Sequence, residues 1–170
     1  MLRTLGAALL IAAAPAGAED RNPLIDYAGF QRLTKDVSTY RQDRLLSWDE
    51  FKRAGRQPRT LILDARSADA YAAGHIKGAV NLPFTDFTAT SLARVIGNKE
   101  RQILIYCNNN FSNNRAPVET KAVQLALNIQ TFINLVGYGY GNVRELNEVI
   151  DFNDPKIGWV KGASPGGDPA

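Results

Sequence analysis

Short continuous apolar runs alternate along the chain with segments of helical spacing. Leu61-Ile62-Leu63, stopped by Asp64, predicts a strand buried on both faces. Ile103-Leu104-Ile105-Tyr106 predicts a second strand of the same kind, ending at Cys107. Between them, Ser67 can cap a short helix through residue 73, which Gly74 terminates. Residues 79–82 read as a further strand, ended by Pro83, which has no N–H for a ladder. Phe84, Phe87, Leu92, Val95 and Ile96 have helical spacing over 84–96, and Gly97-Asn98 closes that helix. Upstream, Ser47-Trp48-Asp49-Glu50 has the form of a capping box and predicts a helix to residue 54. Downstream, Pro117 suits a first helical turn, so 117–127 reads as a helix with Val118, Ala122, Leu125 and Ala126 inward. Residues 129–136 then hold the last strand, 137–141 a glycine-rich turn, and 142–150 a final helix capped by Asn142. The alternation implies an α/β fold, a parallel sheet covered by helices on both sides. Its active site is expected past the carboxyl ends of strands, where Cys107 sits.

Two segments flank this core. Residues 19–43 form an N-terminal arm whose Leu24, Ile25, Tyr27, Phe30 and Leu33 can pack on the domain. Residues 151–170 read as an irregular C-terminal tail. The first 18 residues have the form of a signal peptide: Arg3, then an apolar run over 5–14, then Ala16-Gly17-Ala18 with cleavage after Ala18. The run is far short of the roughly 20 residues that span a bilayer. The expected destination is a bacterial periplasm, with no membrane association after cleavage.

Charge and counts narrow the chemistry. The formal charge is +3 with no clustered Lys and Arg, which argues against a nucleic-acid partner. One cysteine excludes a disulfide within the chain, and one cysteine with one histidine excludes the common zinc sites. Any cysteine chemistry runs through Cys107.

Cys107 follows a strand and opens the polar stretch CNNNFSNNR. Backbone N–H groups of such a loop, and the amino end of a following helix, stabilise negative charge and lower a thiol pKa. Asn108, Asn109, Asn110, Asn113 and Asn114 suit a curled loop because asparagine tolerates left-handed backbone. With Phe111, Ser112 and Arg115 they form the expected anion-binding segment around a catalytic Cys107. The alternative is an inert cysteine behind an apolar strand. Phe111 either lines the pocket mouth or packs beneath it, and Arg115 either points inward or braces the loop from outside.

Residues 61–84, LILDARSADAYAAGHIKGAVNLPF, resemble the leading signature of the rhodanese-like domain. Asp64-Ala65-Arg66 matches its Asp-Val-Arg. Tyr71, Gly74, His75, Ile76, Gly78, Ala79, Asn81 and Pro83 match the segment that follows. Residues 103–107 are similar to the family's second signature, a strand ending in the persulfide-forming cysteine. The resemblance runs from about residue 45 to 150 and implies a rhodanese-like domain over 44–150, with a central, mostly parallel five-stranded sheet flanked by helices. It places His75 in a structural turn rather than in general acid catalysis, and gives Asp64 and Arg66 a supporting role. The family places its arginine five residues after the cysteine. Here Arg115 is eight residues on and the usual loop glycine is absent, which puts thiosulfate as the preferred donor in doubt.

The implied function is sulfur transfer: Cys107 takes sulfane sulfur from a small donor anion and passes it to a thiol or cyanide. It calls for no metal and no organic cofactor. A periplasmic protein partner is compatible with the extra arm. A binding module without turnover is the alternative, and a cysteine-dependent phosphatase or arsenate-processing enzyme is a third.

Overall fold

A computed structural model describes residues 22–162; the signal-peptide segment 1–18 lies outside the described residues. The elements, in order, are α1 (Tyr27–Tyr40), β1 (Leu45–Leu46), α2 (Trp48–Gly55), β2 (Leu61–Asp64), α3 (Ala68–Ala73), β3 (His75–Ile76), β4 (Ala79–Asn81), α4 (Ala89–Ile96), β5 (Ile103–Tyr106), α5 (Leu127–Gly137), β6 (Val143–Leu146) and β7 (Trp159–Val160). Five strands form one sheet in the order β1-β6-β5-β2-β4, and every neighbouring pair is parallel. The fold is therefore α/β, with a central five-stranded parallel sheet flanked by helices. No described helix is long and apolar enough to cross a membrane.

β5 is the middle strand and is buried throughout. Its side chains alternate between faces, as strand geometry requires. Ile103 and Ile105 join Leu63, Leu92, Ile96, Phe132 and Leu135 on one side. Leu104 and Tyr106 join Trp48, Phe51, Tyr71 and Ile76 on the other. The capping box at Ser47 forms as the sequence predicts, with the Glu50 carboxylate returning to the Ser47 N–H at 2.8 Å. Thr88 and Ser91 make a second, reciprocal cap, so the helix expected over 84–96 begins only at Ala89.

The chain departs from its sequence pattern after Cys107. Residues 117–127 are not a helix. They run irregularly with one short 3₁₀ turn at Val123–Leu125, and only Val118 of the proposed stripe is buried. Asparagine side chains from the preceding segment capture this backbone instead: Asn108 donates to the Glu119 carbonyl at 2.8 Å, and Asn109 and Asn114 accept from the N–H of Lys121 and Thr120. Such side-chain bonds compete with the helical ladder.

Residues 129–136 are not a strand but the body of α5. Its buried stripe is Asn128, Thr131, Phe132 and Leu135, and the two polar members hide the helical period from a hydrophobicity reading.

The final helix expected over 142–150 is absent, and β6 replaces it. Val143-Arg144-Glu145-Leu146 does not read as a buried strand because Glu145 is charged. Yet Glu145 is 4% exposed, held by a two-pronged bond from Arg41, Nε to Oε2 at 2.5 Å and Nη2 to Oε1 at 2.7 Å. Arg41 follows α1, so the arm is part of the sheet's own charge balance. Leu33 and Val37 of α1 pack on the core, whereas Leu24, Ile25, Tyr27 and Phe30 are exposed.

The tail is not irregular throughout. β7 pairs antiparallel with β3, and Trp159 stacks on Phe152 and meets Phe111 edge-on. Gly74 makes this possible: a Cβ there would overlap the Trp159 indole.

Two stability outcomes follow from this packing. Gly74→Ala should cost about 1–3 kcal/mol, the usual range for forced overpacking, and shift the Trp fluorescence, both read in urea unfolding; an unchanged midpoint would mean that Trp159 is not seated there. Arg41→Ala leaves a buried carboxylate without its partner. It should cost up to about 3 kcal/mol, moderated because Arg41 remains one-third exposed. Adding Glu145→Gln should recover part of that loss, and equal midpoints for the single and double variants would discount the pair.

Candidate active site

β5 delivers Cys107 to the carboxyl edge of the sheet. The cysteine then caps a single 3₁₀ turn, Asn108–Asn110. Its Sγ accepts the Asn109 N–H at 3.4 Å, and its own N–H donates to Asn110 Oδ1 at 2.9 Å. The chain does not curl around the sulfur from 107 to 115. It leaves through Phe111, which bridges to Ile150, and returns at Leu127, twenty residues after Cys107, as the amino end of α5.

That return places the backbone N–H groups of Leu127 and Asn128 at the thiol, where they favour the anion. Burial opposes them and is the larger effect. Sγ belongs to a residue 1% exposed, and the Glu145 carboxylate nearby also disfavours a second negative charge. The Cys107 pKa is therefore raised, which reverses the direction expected from a cradle-shaped loop.

A buried polar chain runs behind the cysteine. Asn128 Nδ2 donates to Asn110 Oδ1 at 2.9 Å and to Glu145 Oε1 at 3.2 Å. Asn110 Nδ2 donates to the carbonyls of Leu146 at 2.8 Å and Glu148 at 3.1 Å. Asn110 thus ties the turn to the end of β6, and its amide is occupied by protein groups.

The other residues of the expected anion-binding segment are spread apart. Asn108, Asn109 and Asn114 hold the backbone of 119–121. Ser112 donates from its N–H to the Ile150 carbonyl at 2.9 Å. Asn113 donates to Asp151 Oδ1 at 2.7 Å and accepts from the Phe152 N–H. That bond is the largest cause holding the Asp151 carboxyl below its ordinary range. Phe111, 2% exposed, packs beneath the site against Tyr106, Phe152 and Trp159 rather than lining a mouth. Asn114, at φ 40°, is the segment's one described left-handed residue. Arg115 is exposed and lies over the Phe152 ring at 5.4 Å, in a groove with Asp154, Trp159 and Lys161. In a different cavity, of about 480 Å³, Asn108, Leu127 and Lys121 are lining residues and Arg115 is not.

Asp64, Arg66 and His75 form a buried brace beside the site. Arg66 donates Nε to Asp64 Oδ1 at 2.9 Å and Nη2 to Oδ2 at 2.5 Å, then reaches the carbonyls of Gly74 and Pro117. The Tyr106 hydroxyl donates to Asp64 at 2.5 Å; burial first, and the Asp64 charge second, hold that phenol well above its ordinary pKa. His75 stacks on Tyr71 at 3.7 Å, and its Nδ1 is 2.9 Å from the Tyr71 carbonyl. Sequence spacing missed Lys121, Asn128 and Glu145. Nothing in their local pattern marks them, because each reaches the site through tertiary pairing. Among the described residues no group of three His, Cys, Asp or Glu side chains is placed to hold a metal.

The raised thiol has a direct readout. Alkylation of Cys107 by iodoacetamide should show a midpoint above about 8.5, the ordinary thiol value. Glu145→Gln removes the nearby negative charge and should move that midpoint down. A wild-type midpoint below 8, or an upward move in the variant, would contradict this electrostatic balance.

The arrangement has counterparts among known proteins. The family model of the rhodanese-like domain matches residues 47–148. No curated protein matches the chain. Among solved structures, the thiosulfate sulfurtransferase from Pseudomonas aeruginosa shares 19% identity at a TM-score of 0.53, over 79% of this chain and 23% of that one. Wild-type EanB shares 25% identity at a TM-score of 0.45, over 63% of this chain and 24% of that one. The rhodanese-like domain of the Alr3790 protein from Anabaena sp. shares 22% identity at a TM-score of 0.42, over 61% of this chain and 89% of that domain. The chain thus spans about a quarter of the length of the larger proteins it is similar to. With the family match covering more than half of the sequence and the parallel sheet ending at Cys107, the chain belongs to the rhodanese-like domain family.

Proposed function

We propose that this protein is a sulfurtransferase that carries sulfane sulfur on Cys107, in the periplasm after removal of residues 1–18. The observation that supports it is the convergence of the Asn109, Leu127 and Asn128 N–H groups on one sulfur at the carboxyl edge of the central strand. Fixed backbone dipoles of this kind stabilise a thiolate and, after sulfur uptake, a terminal persulfide anion. The Cys107 thiolate attacks the outer sulfur of a donor anion, the donor's remainder leaves with the electron pair, and a thiol or cyanide then takes the terminal sulfur. Arg66 and Asp64 keep the strand end and the Gly74 turn in place. The raised pKa means that the resting group is the thiol, so its proton must leave before attack.

A second reading, a binding module without turnover, is favoured by one observation: the residue that carries the thiol is 1% exposed, covered by its neighbours. Reaction requires that cover to move; binding does not.

Intact mass separates the two. Purified protein mixed with thiosulfate or an organic thiosulfonate should gain the mass of one sulfur atom, which cyanide removes and Cys107→Ser abolishes. No gain with either donor between pH 7 and 10 would leave the binding module as the function.

A further inference from the structure

We propose that Lys121, not Arg115, is the cation that receives the anionic sulfur donor, and that the donor it favours has an apolar body. The inference rests on the sulfur-transfer reading for its chemistry but on separate observations for its site. The 480 Å³ cavity is lined by Asn108 and Leu127 and, among others, by Ala65, Pro83 and Phe84. Leu127 presents its N–H to Sγ and Asn108 follows Cys107 in the chain, so two lining residues are direct neighbours of the cysteine.

Two cations line the cavity, Arg66 and Lys121. Arg66 is committed to Asp64 and to two carbonyls. Lys121 is exposed, with no ion pair among the described residues. Its position is nevertheless fixed. The Asn109 side chain pairs with its backbone as a neighbouring strand would, accepting the Lys121 N–H at 3.1 Å and donating to the Lys121 carbonyl at 2.9 Å. The residue two places after the reactive cysteine thus sets where the ammonium begins, while its four-carbon stem spans the cavity edge. A second asparagine closes the path. The Asn108 Oδ1 is buried without a hydrogen-bond partner, and one donated bond to the Glu119 carbonyl holds that side chain. Rotating Asn108 gives its oxygen access to water and opens the part of the cavity wall next to Cys107 in the chain.

Ser67 and Thr85 also line the cavity, but Ala65, Ala68, Ala70, Pro83, Phe84 and Leu127 make most of its wall apolar, and burying a compact, strongly hydrated dianion against such a wall is costly. An organic thiosulfonate fits better: its apolar group lies on Phe84 and Leu127 and its single charge meets Lys121. The step balances. The Cys107 thiolate forms a bond to the outer sulfur of R–SO₂–S⁻, the S–S bond of the donor breaks, and the sulfinate R–SO₂⁻ leaves with the electron pair. The persulfide keeps one negative charge, and no outside oxidant or reductant enters.

The test uses the full chain with benzenethiosulfonate and thiosulfate as probes. Binding is measured by calorimetry in Cys107→Ser, and sulfur uptake by single-turnover mass in the protein with its cysteine. Lys121→Ala in the Cys107→Ser background should weaken benzenethiosulfonate binding by about tenfold or more. In the cysteine-bearing protein it should raise the half-saturating donor concentration by a similar factor, with iodoacetamide reactivity of Cys107 unchanged. Lys121→Arg should restore most of the loss, and thiosulfate should bind more weakly than benzenethiosulfonate. Binding that ignores Lys121→Ala, or thiosulfate binding as tightly as the aryl donor, overturns the inference even if sulfur uptake persists. Lys121-dependent binding without any sulfur uptake upholds the site and overturns the sulfur-transfer reading instead.

Discussion

A charge taken out of water must be paired, and in this fold one pair joins several elements at once. Arg66 and Asp64 are 3% and 0% exposed, so neither has solvent to fall back on. The guanidinium completes its bonds with the carbonyls of Gly74 and Pro117, and Asp64 also accepts the Tyr106 hydroxyl. Asn81 donates to the carbonyls of Asp64 and Arg66. The ends of β2, β4 and β5, the turn after α3 and the segment beyond Cys107 therefore meet at one ion pair. Buried pairs of this kind add little net stability over apolar packing, but they penalise any arrangement that leaves a member unpaired. The register of strand ends around Cys107 depends on that penalty.

Behind the cysteine, a second buried pair does related work. Glu145 is buried on its strand alongside Val143 and Leu146, and Arg41 reaches it from the N-terminal arm. Asn128 links this carboxylate to Asn110, which holds the Cys107 N–H. The thiol therefore feels opposed influences: burial and a carboxylate that favour the neutral form, and three backbone N–H groups that favour the anion. Burial prevails with the site closed. Admitting water beside Sγ weakens the effect of burial while leaving the dipoles in place.

The asparagines between 108 and 114 show how one composition serves two geometries. Read locally, they suit a tight anion-binding curl. In the folded chain, all five side chains bind backbone elsewhere: Asn108, Asn109 and Asn114 hold 119–121, Asn110 holds 146–148, and Asn113 accepts from the Phe152 N–H. The amide is a good donor and acceptor in either role, so residue type alone does not choose between them. The choice is made by what lies across the gap.

The sequence by itself determined the buried strands at 61–64 and 103–106, the capped helix after Ser47, the short helix before Gly74 and the place of the single cysteine at a strand end. These are legible because each is set by local rules: continuous apolar runs, cap residues at fixed offsets, and a motif whose members sit close together. Tertiary structure decided the rest. It made α5 a helix with Asn128 and Thr131 in its buried stripe, and β6 a strand with a buried glutamate; partners distant in sequence take up the Asn128 amide N–H groups and the Glu145 carboxylate, while packing alone holds Thr131. It drew Trp159 onto Phe111 because Gly74 leaves room. It also separated Arg115 from the cysteine that spacing had joined to it, since an irregular chain of twenty residues, held by side-chain amides, carries no period from which its path can be read.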